Sequence, residues 1–149
     1  MDMKSSKVLY LKIGIDPDVD KSGVATITPD FEELTTLTYF ELFDYLKALQ
    51  NAHNNNIKAY IECGFLNKSN WHKQTSKSSA FNAKIGENTG RNFETAKKIC
   101  EMCEYLNIEH VKVRPSMRKL KSTEFKNLTK IKTRTNQEMR DAYMLVWGR

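Results

Sequence analysis

Asp16, Glu62, Glu138 and Asp141 are the residues whose type and placement could do chemistry. Asp16 follows "KVLYLKIGI", in which Leu9, Leu11, Ile13 and Ile15 share one parity, and Glu62 closes "IKAYIE", in which Ile57, Ala59 and Ile61 do. Alternation of this kind marks strands. Both acids therefore sit at strand carboxyl ends, beyond which the binding crevices of α/β sheets open. On parallel neighbouring strands the two carboxylates would converge, and like charges so close call for a cation between them. In "TRTNQEMRDAYMLVWGR", Glu138 and Asp141 stand three apart on one helical face, bordering an arc of Ala142, Leu145 and Val146. Acids at the edge of a buried face cost free energy unless they are paired or bind metal. Four such carboxylates suit two Mg²⁺ or Mn²⁺ ions about 4 Å apart, able to bind the attacking water and the leaving oxygen of a phosphodiester. Histidine is not needed for that set, and His53, His72 and His110 show no metal spacing.

Other readings of these residues stand beside this one. Thr135 and Glu138 have capping-box spacing, so Glu138 could tie down a helix start. Asp16 could receive a turn hydrogen bond before Pro17, the use that Asp18 and Asp20 best fit on the way to Gly23. Asp16, Asp18 and Asp20 do not form a helix–loop–helix calcium site: position six of that loop is Lys21 instead of Gly, and position twelve is Ile27 instead of Glu. Cys100 and Cys103 lack the further ligands of a zinc site and lie on an apolar helical face, where they read as core. No Gly-rich phosphate loop or nucleophile elbow is present.

The elements that must position the acids follow from periodicity and punctuation. The first strand stops at Pro17, "SGVATITPD" gives a second, and "FEELTTLTYF" a third. Thr38 and Glu41 form a capping box opening a helix to about Leu49, with Phe40, Phe43, Leu46 and Lys47 on one face. The strand ending at Glu62 comes next. Residues 66–91 are polar and aperiodic and read mostly as a mobile loop, and from about Gly90 a helix runs to Leu106 with Phe93, Ala96, Cys100 and Cys103 on one face. "IEHVKVRP" is the last strand, a short helix is expected around Met117 to Phe125, and a final helix starts at Thr135. Three strands, helix, strand, helix, strand, helix predicts a mixed α/β sheet with helices on its faces.

The 149 residues, 40% apolar and 28% charged, fit a single domain spanning 1–149 of the soluble globular class. Without an apolar run of membrane length or a signal segment the expectation is a cytoplasmic protein, and three cysteines argue against a disulfide framework. The net charge of +6 is unevenly spread: residues 1–65 carry six Lys/Arg against ten Asp/Glu. In residues 112–134, by contrast, Lys112, Arg114, Arg118, Lys119, Lys121, Lys126, Lys130, Lys132 and Arg134 face only Glu124. Such a segment attracts a polyanion with salt-dependent affinity, or serves as a solvated basic surface.

"IGIDP" with "SG" shortly after, "YIECGF" ending a later strand, and "RDAYMLVWG" in the last helix together resemble the RuvC-type Holliday-junction resolvases of the ribonuclease H-like superfamily, over nearly the whole chain. The compact size resembles phage-encoded members. The resemblance implies a five-stranded mixed sheet, three strands antiparallel and the later ones added in parallel, and a dimer that cuts branched DNA with two Mg²⁺ or Mn²⁺ ions. It implies that Asp16, Glu62, Glu138 and Asp141 are the metal-binding acids, Asp16 bridging both ions. Phe65 falls at the family's aromatic wedge, and reads equally as a core residue finishing a strand. "GENTG", Gly86 to Gly90, resembles the glycine-spaced start of the family's long helix, where close backbone approach is expected. Asp18 stands where the family usually has Gly, and Glu138 where it commonly has Asp. DNA contacts are expected from Phe65, Trp71 and Phe81 stacking on unpaired bases, and from Lys68, Lys73, Arg118, Lys119, Lys121, Lys130, Lys132 and Arg134 on phosphates. Two further functions fit the same fold: a nucleic-acid-binding protein whose acids are structural, and a monomeric nuclease acting on flaps or RNA–DNA hybrids.

Overall fold

A computed structural model of the chain describes residues 10–53, 56–67, 78–116 and 119–149. Its strands are β1 (Leu11–Asp16), β2 (Ser22–Ile27), β3 (Glu32–Leu37), β4 (Ile57–Glu62) and β5 (Glu109–Val113). Its helices are α1 (Tyr39–His53), α2 (Ser79–Tyr105), α3 (Ser122–Thr129) and α4 (Gln137–Met144), with a 3₁₀ turn over Gly64–Leu66. The strands form one sheet in the order β3-β2-β1-β4-β5, the first three antiparallel, with β4 and β5 added in parallel. This is the five-stranded mixed sheet, three strands antiparallel and two added in parallel, expected from the resemblance. None of the described helices is long and apolar enough to cross a membrane.

Each sheet face has its own core. Leu11, Ile13 and Ile15 of β1 with Ile57, Ala59 and Ile61 of β4 pack against Leu42 and Leu46 of α1 and Ala96, Ile99, Cys100 and Cys103 of α2. The opposite parity places Ala25 and Tyr60 against Ala142, Tyr143, Leu145 and Val146, with Phe125 of α3 closing the cluster edge-on to Tyr143. Tyr143 Oη also donates to Glu32 Oε1 at 2.9 Å, tying α4 to the outer strand.

The capping box forms as read: Thr38 N donates to Glu41 Oε1 at 3.0 Å and Glu41 N to Thr38 Oγ1 at 3.3 Å. The helix it opens runs on to His53, one turn past the expected end. Its buried residues are Leu42 and Leu46, whereas Phe40, expected on one face with Leu46, is 79% exposed. The long helix is also corrected. It begins at Ser79, eleven residues before Gly90, capped by Ser78, whose side chain accepts from Phe81 N. Its first three turns bury nothing among the described residues and are held by their own hydrogen bonds and by ion pairs of Glu87 with Lys84 and Arg91. A helix without an apolar face has no hydrophobic period to read. The α3 helix starts at Ser122, later than the expected Met117, and ends at Lys130 in the left-handed conformation. The final helix starts at Gln137, because Asn136 is its cap and accepts from Met139 N at 2.9 Å.

Candidate functional site

Parallel pairing of β1 with β4, in register at Ile15 and Ile61, brings Asp16 and Glu62 to the same end of neighbouring strands. Across the other edge of β1, Asp16 faces Gly23 of β2, and Gly14 faces Ala25. The two glycines admit α4. A methyl group at Gly14 would overlap the Ala142 carbonyl oxygen, and one at Gly23 the Glu138 carbonyl. Only residues without a side chain let the helix backbone rest this close to the sheet. Contact along β1 and β2 thus sets Glu138 and Asp141 beside the strand-end acids. The sequence showed these glycines only as parts of "IGIDP" and "SG". Their packing role has no local signature, since the helix they admit lies over a hundred residues further on.

Three of the four acids share a cleft of about 760 Å³ lined by Asp16, Asp18, Glu62, Glu138 and Lys119, together with Asn92 and Phe93 of α2. Asp141 opens instead into an adjoining recess of about 200 Å³, which Glu62 and Lys119 also line. Burial, then the charges of Glu62, Asp141 and Glu138, push the Asp16 carboxyl up to about 8, against a smaller opposing effect of Lys119. Burial raises Glu62 as well, opposed by Lys119 and reinforced by Asp141. Lys119 Nζ lies 3.0 Å from Asp141 Oδ2. Burial disfavours its charge, but the hydrogen bond to Asp141 and the charges of Asp141, Asp16 and Glu62 outweigh that and raise its pKa.

Among the described residues no three acids stand close enough together to chelate one ion. The donor chemistry nevertheless fits hard divalent cations: the acids offer only oxygen, and their mutual repulsion is opposed by the Lys119 ammonium. The capping-box alternative for Glu138 is overturned, because Asn136 caps α4 and Thr135 Oγ1 instead accepts from Arg140 Nη1 at 3.1 Å. Ser22 Oγ accepts from Asp18 N at 3.1 Å, so Asp18 enters the turn before Gly23 through its main chain.

Phe65 is half-buried against the first core, with Phe93 edge-on at 6.4 Å and Lys97 Nζ 5.5 Å from its ring centroid. Phe81 lies in the first turn of α2 and is 41% exposed. Lys119, Lys121, Lys130, Lys132 and Arg134 are exposed. Lys68, Trp71, Lys73 and Arg118 lie outside the described residues. The cysteines Cys63, Cys100 and Cys103 are free and buried, consistent with packing. Sequence reasoning missed Gln137 and Arg140. Gln137 Nε2 donates to Asp141 Oδ1 at 2.7 Å, and Arg140 is buried beside it.

No protein-family model and no curated protein matches the chain. Among solved structures it is similar to "T. thermophilus RuvC in complex with Holliday junction substrate", over 91% of this chain and 89% of that one, at 9% sequence identity and a TM-score of 0.47.

Proposed function

We propose that the chain is a divalent-metal-dependent, structure-selective endonuclease that hydrolyses phosphodiesters of branched DNA, such as four-way junctions. The observation that carries this reading is that Asp16, Glu62 and Glu138 line one cleft with Asp141 in the adjoining recess, where burial first, and then the charges of Glu62, Asp141 and Glu138, push Asp16 up to about 8. Asp16, Glu62, Glu138 and Asp141 would hold the ions, which supply water activation and neutralise charge on the leaving oxygen. Lys119, Lys121, Lys130, Lys132 and Arg134, with Lys68, Lys73 and Arg118, position the sugar–phosphate backbone without reading sequence. Phe65, Trp71 and Phe81 stack on bases left unpaired at a branch point. Symmetrical cutting of two strands needs two such sites, hence a twofold dimer. A monomer would favour flap or hybrid cleavage.

One observation favours a second reading, a non-catalytic nucleic-acid-binding protein: Asp141 is already satisfied by Lys119 and Gln137. Incubation with a labelled four-way junction and Mg²⁺ or Mn²⁺ separates the two. Wild type cleaves and Asp16→Asn only retards the junction in a gel. If wild type also retards the DNA and never cuts it, the second reading stands.

A further inference from the structure

Resting on the nuclease reading, we propose that Gln137 and Arg140 are positioning residues that aim the Asp141 carboxylate and fix Lys119 beside it. Arg140 is only 9% exposed, yet its hydrogen-bond partners on the described residues are all neutral oxygens. Nε donates to Leu120 O at 3.1 Å, Nη1 to Thr135 O and Oγ1 at 2.9 and 3.1 Å, and Nη2 to Gln137 Oε1 at 3.1 Å. A guanidinium is donor-only. The Gln137 atom it meets must therefore be the amide oxygen, which leaves the amide NH₂ to donate to Asp141 Oδ1 at 2.7 Å and Leu120 O at 3.3 Å.

Two consequences follow from that fixed orientation. Asp141 is gripped at both oxygens, Oδ1 by Gln137 Nε2 at 2.7 Å and Oδ2 by Lys119 Nζ at 3.0 Å, so that Oδ2 is the oxygen already turned toward a cation. The Leu120 carbonyl receives hydrogen bonds from both Arg140 and Gln137, and Leu120 is the neighbour of Lys119 in the chain. The same pair thus holds the acid and the backbone that carries its lysine. A purely structural role explains this poorly. Among the described residues the guanidinium bonds only neutral oxygens, an expensive burial where apolar packing would join a loop to a helix more stably. Here the network reaches Leu120 and Asp141, which both line the recess beside the acid cleft.

Gln137→Met removes the amide, and Gln137→Glu keeps the acceptor for Arg140, which still donates to Leu120 O, but can donate to neither Leu120 O nor Asp141. Three quantities are measured for each: Mn²⁺ binding by calorimetry without DNA, junction affinity without divalent ions, and the cleavage rate at saturating Mn²⁺. Loss of a group that orients a metal-binding carboxylate costs about ten- to a hundred-fold in metal affinity or activity. Gln137→Met is expected to lose that much in Mn²⁺ affinity and rate, and Gln137→Glu that much in rate, both with junction affinity and thermal unfolding near wild type. A Gln137→Glu protein that cleaves at the wild-type rate overturns the inference and reduces Gln137 to a structural acceptor. Wild type that neither binds Mn²⁺ nor cuts sinks the nuclease reading itself, and the inference with it.

Discussion

An aspartate that must ionise inside a cleft holding three other acids resists doing so, and the resistance is readable in solution. With Asp16 raised from 3.8 to about 8, the folded chain binds a proton over that window which the unfolded chain has released. Stability therefore falls as pH rises between those values. Glu62, also raised, acts in the same direction. Without divalent ions, Asp16→Asn should leave stability little changed at about pH 4 and raise it by roughly 2–4 kcal/mol at about pH 8, measured by urea unfolding at both. A variant no more stable than wild type at the higher pH would mean that Asp16 ionises freely. Mn²⁺ should recover the wild-type loss at about pH 8 and do little for Asp16→Asn, because a ligand that binds only the folded site stabilises by mass action. Glu62 and Asp16 were legible at this scale because each ends an alternating run. Gln137 and Arg140 were not, since their partners Leu120, Thr135 and Asp141 are joined only by the fold.

The site is built where α4 meets β1 and β2. Gly23→Ala would force the Glu138 carbonyl away from the sheet, and Gly14→Ala the Ala142 carbonyl. Overpacking of this kind costs about 1–3 kcal/mol. Either variant should lose that stability in denaturant unfolding and lose cleavage beyond what its folded fraction explains, since α4 carries two of the four acids. Gly86 makes the contrast. Nothing lies within 4 Å of where its side chain would be, and it sits inside α2. Gly86→Ala should therefore gain about 0.5–1 kcal/mol in dilute solution. A loss at higher protein concentration would point to close approach by a second chain, the use expected of "GENTG". The Thr38–Glu41 box was legible because both partners lie within one turn. The start of α2 was not, because its first turns carry charges in place of an apolar stripe.

Over the whole molecule, an acidic cleft sits beside an exposed basic segment, and the two should respond differently to salt. Lysines that touch phosphates release counterions, so junction affinity in Ca²⁺ should fall steeply with salt, and Lys130→Gln or Lys132→Gln should each reduce the logarithmic slope by about 1. A slope identical to wild type in both would make those lysines a solubility surface. Asp16→Asn should leave the slope unchanged, because it carries no phosphate contact.

The sequence by itself determined the sheet's strands and their inner faces. The parity of Leu11, Ile13 and Ile15 and of Ile57, Ala59 and Ile61 is a local property of an extended backbone, and packing of that face against α1 and α2 enforces it. It also placed acids at the ends of β1 and β4, since a strand's last residue follows directly from its run. Only the tertiary structure decided that β1 and β4 are parallel neighbours, and that Gly14 and Gly23 open a seat for α4. It alone decided that Lys119 pairs with Asp141 and also lines the cleft of the other acids. These relations join residues tens to more than a hundred positions apart, and pairing across such distances is fixed by packing of the whole chain, which no local pattern of residues encodes.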